Sequence, residues 1–195
     1  MGHVFRRLRL VLVVAVVALS VSTLYYFGAP SGTVAVHADH GVFADEIELL
    51  QYSDLVVVAR LDKDFSRYEP TVSYTSDGRL DAFYTVTDVQ ILKQLKGDVA
   101  GKTLPVIQGA AYIRLDPLKN QKDLVTSEGF FPMQAGKPYL LFLKVTDIGA
   151  YSIVALNQGK FNVDGADEQE RSIEGKDSQF RDLKAKVLSS LKGMF

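Results

Sequence analysis

His37 and His40 bracket Asp39 and form the only histidine cluster in the chain. Two imidazoles and a carboxylate could ligate Zn²⁺ or Cu²⁺ if they were held rigidly. Residues 28–43 around them are rich in Gly, Ala, Ser and Pro and show no periodicity. The segment therefore reads as a solvated tether, and no third or fourth fixed ligand is evident. His37 and His40 are weak metal candidates, and no cofactor is expected. Asp62 and Asp64 are the carboxylate pair best spaced for acid–base work, since alternate residues of a strand share a face. The commoner role of such a pair is a solvated strand end. A hydrolytic nucleophile needs a positioned base, and no histidine follows position 40. The chain has no cysteine, which removes thiol catalysis, iron–sulfur clusters and Cys-type zinc sites together. The expectation is a protein that is not an enzyme.

The remaining candidates are for binding. Ser127-Glu128-Gly129-Phe130-Phe131-Pro132 places two aromatics side by side in a long inter-strand segment. Exposed together, Phe130 and Phe131 would make a ligand platform, with Tyr112 and Arg114 beside them. The alternative is that one of the pair plugs the end of the core, because large exposed apolar patches are unusual on soluble domains.

Positioning begins with residues 10–27, LVLVVAVVALSVSTLYYF, an apolar run directly after Arg6, Arg7 and Arg9. At about 1.5 Å per residue a helix of that length spans roughly 27 Å, close to a hydrocarbon core. Tyr25, Tyr26 and Phe27 suit the aromatic belt at an interface, and arginines ahead of the run favour a cytoplasmic N-terminus. Residues 1–9 are then a cytoplasmic basic stub and 10–27 a signal anchor. A cleaved signal peptide ending near Ala18-Leu19-Ser20 is the other reading. The run continues past that site, which favours the anchor. Both readings export the rest of the chain. Three of the 22 basic residues precede the run's end, leaving the exported part with 19 against 23 acidic ones. Nucleic-acid binding calls for a basic stripe, so no nucleic-acid partner is expected. A cysteine-free exported domain suggests a Gram-positive surface protein.

The exported domain reads as β. Asp54–Leu61 (DLVVVARL) is a buried strand, and Phe83–Leu92 alternates. Thr103–Gln108, Pro138–Thr146, Tyr151–Leu156 and Lys160–Val163 follow. Ala44–Ser53 is a short helix candidate, with acids in its first turn. Residues 66–81 and 109–137 read as long loops. From Ser178 to Lys192 the residues Phe180, Leu183, Val187, Leu188 and Leu191 form one helical stripe. Lys184 falls within it and is expected to snorkel. The fold class expected is mainly β: a small OB-fold-like barrel of five to six strands over 44–165. A short helix precedes it, an amphipathic C-terminal helix follows within 166–195, and one transmembrane helix lies ahead of all.

Ser53–Leu61, Thr85–Val89 with Leu95-Lys96-Gly97, and Ala135–Leu143 together resemble a strand order found in uncharacterised exported proteins of Gram-positive bacilli. More remotely the order is similar to the netrin-like module of tissue inhibitors of metalloproteases, an OB-fold barrel. The resemblance covers about residues 45–163 and implies fold alone. Those inhibitors chelate zinc through an N-terminal cysteine, which this chain lacks. The resulting expectation is a membrane-anchored, extracytoplasmic binding module for a surface protein, peptide or envelope polymer. A protease inhibitor acting by loop insertion and an envelope enzyme using acidic residues are the alternatives.

Overall fold

The computed structural model describes residues 2–28, 31–36 and 43–194. Helix α1 (Gly2–Gly28) contains the apolar run. Its window Val11–Gly28 has a mean hydropathy of 2.1, and none of it is buried in the protein. It is long and apolar enough to cross a membrane. Ser20, Ser22 and Thr23 turn their hydroxyls back onto the carbonyls of Val16, Ala18 and Leu19 at 2.8–2.9 Å. Those polar groups are therefore satisfied without water.

Strand β1 (Thr33–Val36) lies in the segment read as a tether. Helix α2 (Glu46–Tyr52) follows, capped by Asp45, whose carboxylate accepts the Ile47 and Glu48 amides at 3.0 and 2.9 Å. Then come β2 (Leu55–Leu61), β3 (Pro70–Tyr74), β4 (Leu80–Lys96), β5 (Thr103–Gln108), β6 (Ala110–Ile113), β7 (Asp123–Ser127), β8 (Pro138–Val145), β9 (Tyr151–Ile153) and β10 (Lys160–Asn162). Helices α3 (Glu168–Glu174) and α4 (Ser178–Ser190) close the chain. Two compact units are distinguished, Met1–Val34 with Tyr112–Leu124, and Ala35–Ala111 with Val125–Phe195.

The second unit holds the barrel. β2 pairs antiparallel with β4, β4 with β5, and β5 runs parallel to β9. β9 then pairs with β8, and β8 returns to β2. This circuit closes a five-strand OB-fold-like barrel, which leaves the five strands of the circuit paired on both sides along part of their length. β10 extends it on the edge of β8.

β2 is apolar and buried at every position except exposed Arg60, because both its faces are covered along most of its length. Val56 and Val58 join Leu140, Phe142 and Phe161 in a layer against α2 and α4, completed by Leu49, Phe180, Leu183 and Val187. The alternates Leu55, Val57 and Ala59, paired with Leu143, Leu141 and Tyr139, face the barrel interior. The interior also takes polar side chains. Thr85 donates to the Ala110 carbonyl (2.7 Å), Thr87 to that of Val106 (3.2 Å), and Gln108 to the Thr87 hydroxyl (2.8 Å). β4 leaves its barrel partner at Gly97, whose φ of +76° suits glycine. A Cβ there would overlap the Asp54 carbonyl.

Several expectations need correction. Residues 66–81 are not a plain loop, because β3 folds back on the start of β4 with Pro70 opposite Thr85 and Val72 opposite Phe83. Within 109–137, β6 and β7 form strands, and with β1 they make a sheet of order β1–β7–β6. The C-terminal region has two helices, since α3 precedes the amphipathic α4. Lys184 does not snorkel; it is buried and bonds Glu170 and Glu174.

Candidate functional site

β10 alternates across the sheet. Phe161 points to the helix layer, while Lys160 and Asn162 point the other way. Lys160 is fully buried, and its ammonium has no hydrogen-bond partner. It lies instead over aromatic rings, with Nζ 3.4 Å from the Phe131 centroid, 5.0 Å from Tyr139 and 5.6 Å from Phe130. Ring faces attract a cation, but burial disfavours charge more strongly. Burial pushes the Lys160 ammonium down to about 7, against the opposing pull of the Glu170 and Asp167 carboxylates.

Those two acids are also buried and are held from several sides. Asp167 accepts from the Tyr139 phenol (2.7 Å) and the Gln134 amide side chain (2.9 Å), and it caps α3 through the Gln169 amide (3.0 Å). Glu170 accepts the Asn162 backbone amide on both oxygens, at 2.9 and 3.0 Å. It also pairs with Lys184, which reaches Glu174 at 2.7 Å. Against the cost of burial, the hydrogen bonds to Glu170 and Glu174 hold the Lys184 ammonium above its usual range. Burial lifts the Tyr139 phenol, with Asp167 adding to the rise. The cluster thus ties β8, β10, α3 and α4 together through charge-assisted bonds. The amine is sealed from solvent, and burial lowers the pH at which it gives up its charge.

The expected aromatic platform is part of this core. Phe130 and Phe131 are 1% and 6% exposed, stacked at 6.4 Å between centroids. Neither is exposed as a platform would require, and both rings lie against the Lys160 amine. Tyr112 is half-buried on β6, and exposed Arg114 donates to the Asn120 carbonyl (3.4 Å). Both belong to the first unit, whereas the two phenylalanines belong to the second. His37 and His40 lie outside the described residues. Among the described residues no cluster of His, Cys, Asp and Glu is arranged to hold a metal ion. Asp62 is exposed 3.9 Å from Arg60, and Asp64 is spent accepting the Ser66 amide at 2.9 Å. Hydrogen bonds from the Ser66 side chain and amide hold the Asp64 carboxyl below the usual range.

Sequence reasoning missed Lys160, Tyr139, Asp167 and Glu170. Lys160 and Asn162 alternate with Phe161 as an ordinary polar face would. The available signal was Lys184 inside an apolar stripe, downstream of an acid-rich segment.

The second unit also carries an apolar groove of about 290 Å³ between α2 and α4, lined by Ile47, Leu50, Phe142, Val187 and Leu191. No protein-family model matches the chain, and no curated protein matches it.

Proposed function

We propose that the chain is a membrane-anchored, non-enzymatic binding module whose barrel stands on the extracytoplasmic side. The observation that supports it most is α1, where an 18-residue apolar window has no protein cover at all. A bilayer is the environment that satisfies such a surface. Arg6, Arg7 and Arg9 ahead of the run favour a cytoplasmic N-terminal end in this reading. A Gram-positive envelope and the netrin-like resemblance belong to the same reading, and the closed five-strand circuit is compatible with the latter.

In OB-fold barrels the loops joining strands one to two and four to five commonly carry the ligand. Here the first of these is 62–79, which contains β3. Among the described residues β3 pairs only with β4. Its other edge is open to an added strand, the mode by which many modules take extended peptides. Tyr74 projects from it, 56% exposed. The partner in this reading is an extended segment of a surface protein or peptide.

The test is a photo-crosslinker placed at Tyr74 or, for comparison, at exposed Glu48 of the full chain in intact cells. Discrete adducts from position 74 and none from 48 are expected. Equal adducts from both positions, or none from either, would count against the reading.

A further inference from the structure

The turn at residues 114–122 and the end of α1 belong to one compact unit and are bonded to each other. The Tyr25 phenol donates to the Asp116 carboxylate (3.3 Å). The Asn120 amide donates to the Tyr26 carbonyl (2.9 Å). That carbonyl is in the last turn of the helix, where internal partners run out. Leu118 is 68% exposed, and with Val21, Tyr25, Tyr26 and Phe27 it lines an apolar concavity of about 570 Å³. Leu115 is exposed as well, as are Arg114 and Lys122, and Lys119 is half-buried. The acids of the segment are occupied. Asp116 also accepts the Leu118 amide (2.9 Å), and buried Asp123 accepts that of Gly32 (2.8 Å).

Tyr25, Tyr26 and Phe27 mark headgroup depth if α1 spans a bilayer. Hydrogen bonds to Tyr25 and Tyr26 hold the turn at that same depth. Leucines exposed there face the boundary of the acyl chains and not bulk water, while long basic side chains reach outward to phosphate. We propose that residues 114–122 are a second membrane contact. Leu115 and Leu118 enter the interfacial layer of the leaflet at the C-terminal end of α1, and Arg114, Lys119 and Lys122 meet anionic lipid headgroups. The inference rests on the anchoring read above and adds a lipid-facing surface to it.

The absence of native cysteine makes single-site labelling clean. Full-length Leu118→Cys, Leu115→Cys and Val17→Cys are each labelled with an environment-sensitive fluorophore. Each is reconstituted into vesicles of equal parts phosphatidylcholine and phosphatidylglycerol. Probes at 115 and 118 are expected to lose emission to a spin label carried near the lipid glycerol and to resist aqueous iodide. The probe at 17 should respond to a spin label deep in the acyl chains. Adding Lys119→Glu and Lys122→Glu should weaken the lipid quenching at 118. If the probes at 115 and 118 are quenched by iodide alone while that at 17 is quenched by deep lipid, the second contact is overturned and the anchor stands. If the probe at 17 escapes lipid quenching, the anchor itself fails and the second contact falls with it.

Discussion

Replacing Lys160 with Met should change how the barrel's stability depends on pH. In the folded protein burial brings the ammonium from 10.5 to about 7. Between those values the unfolded chain binds a proton that the folded chain does not. Stability contributed by this site therefore rises with pH across the window, and the full penalty is present below about 7. At about 1.4 kcal/mol per pH unit the penalty approaches roughly 5 kcal/mol at its largest. Most of it, about 3.5 kcal/mol, is relieved between pH 7 and pH 10. Lys160→Met keeps the side chain's bulk and removes the titration. The ring–cation attraction and the pull of Glu170 and Asp167 act only on the protonated amine and are already contained in its lowered pKa. Packing differences between Lys and Met set a constant offset between the two proteins, and the pH dependence of their difference isolates the lysine. The assay is urea unfolding of the full chain in mild detergent, followed by far-ultraviolet circular dichroism at both pH values. Wild type should gain about 3.5 kcal/mol on the Met variant between them. A difference that stays flat would show that Lys160 remains protonated in the fold and would refute the reasoning.

Other substitutions test the rest of the core. Phe131→Ala opens a cavity beside Lys160 and should cost about 3–5 kcal/mol in the same urea assay. Lys184→Met leaves buried Glu170 without its nearest cation and should cost about 3 kcal/mol, with part of that recovered by adding Glu170→Gln. Gly97→Ala combines a positive φ with a Cβ against the Asp54 carbonyl. It should lower stability by about 1–2 kcal/mol, read as a shift in urea midpoint with unchanged slope.

The barrel was legible where residues are covered on both sides. Residues 55–61 and 138–145 read as buried strands because their apolar runs serve two layers at once. β4 read shorter than its Leu80–Lys96 extent because its ends lie outside the covered zone. There, pairing to β3 and to Val56 holds them, with little apolar patterning to show for it. β3 escaped notice for the same reason, since PTVSY has no buried face. α3, EQERSIE, has no apolar stripe. It exists because Asp167 caps it and Glu170 is drawn into the core by Asn162 and Lys184. The site was illegible because polarity ordinarily signals water. Nothing in the spacing of Lys160 and Asn162 says that three rings will close over the amine. Phe130 and Phe131 were recognised as a pair, but whether an aromatic pair offers its faces to a ligand or to a lysine depends on tertiary contacts.

The central claim, that α1 delivers the barrel across a membrane, is tested most directly by cysteine accessibility in intact cells. Asp147→Cys, in an exposed hairpin of the barrel, and Arg7→Cys, ahead of the apolar run, each give a chain with one thiol. A charged, membrane-impermeant maleimide should label position 147 in whole cells and position 7 only after lysis. Labelling of position 147 only after lysis would contradict the account.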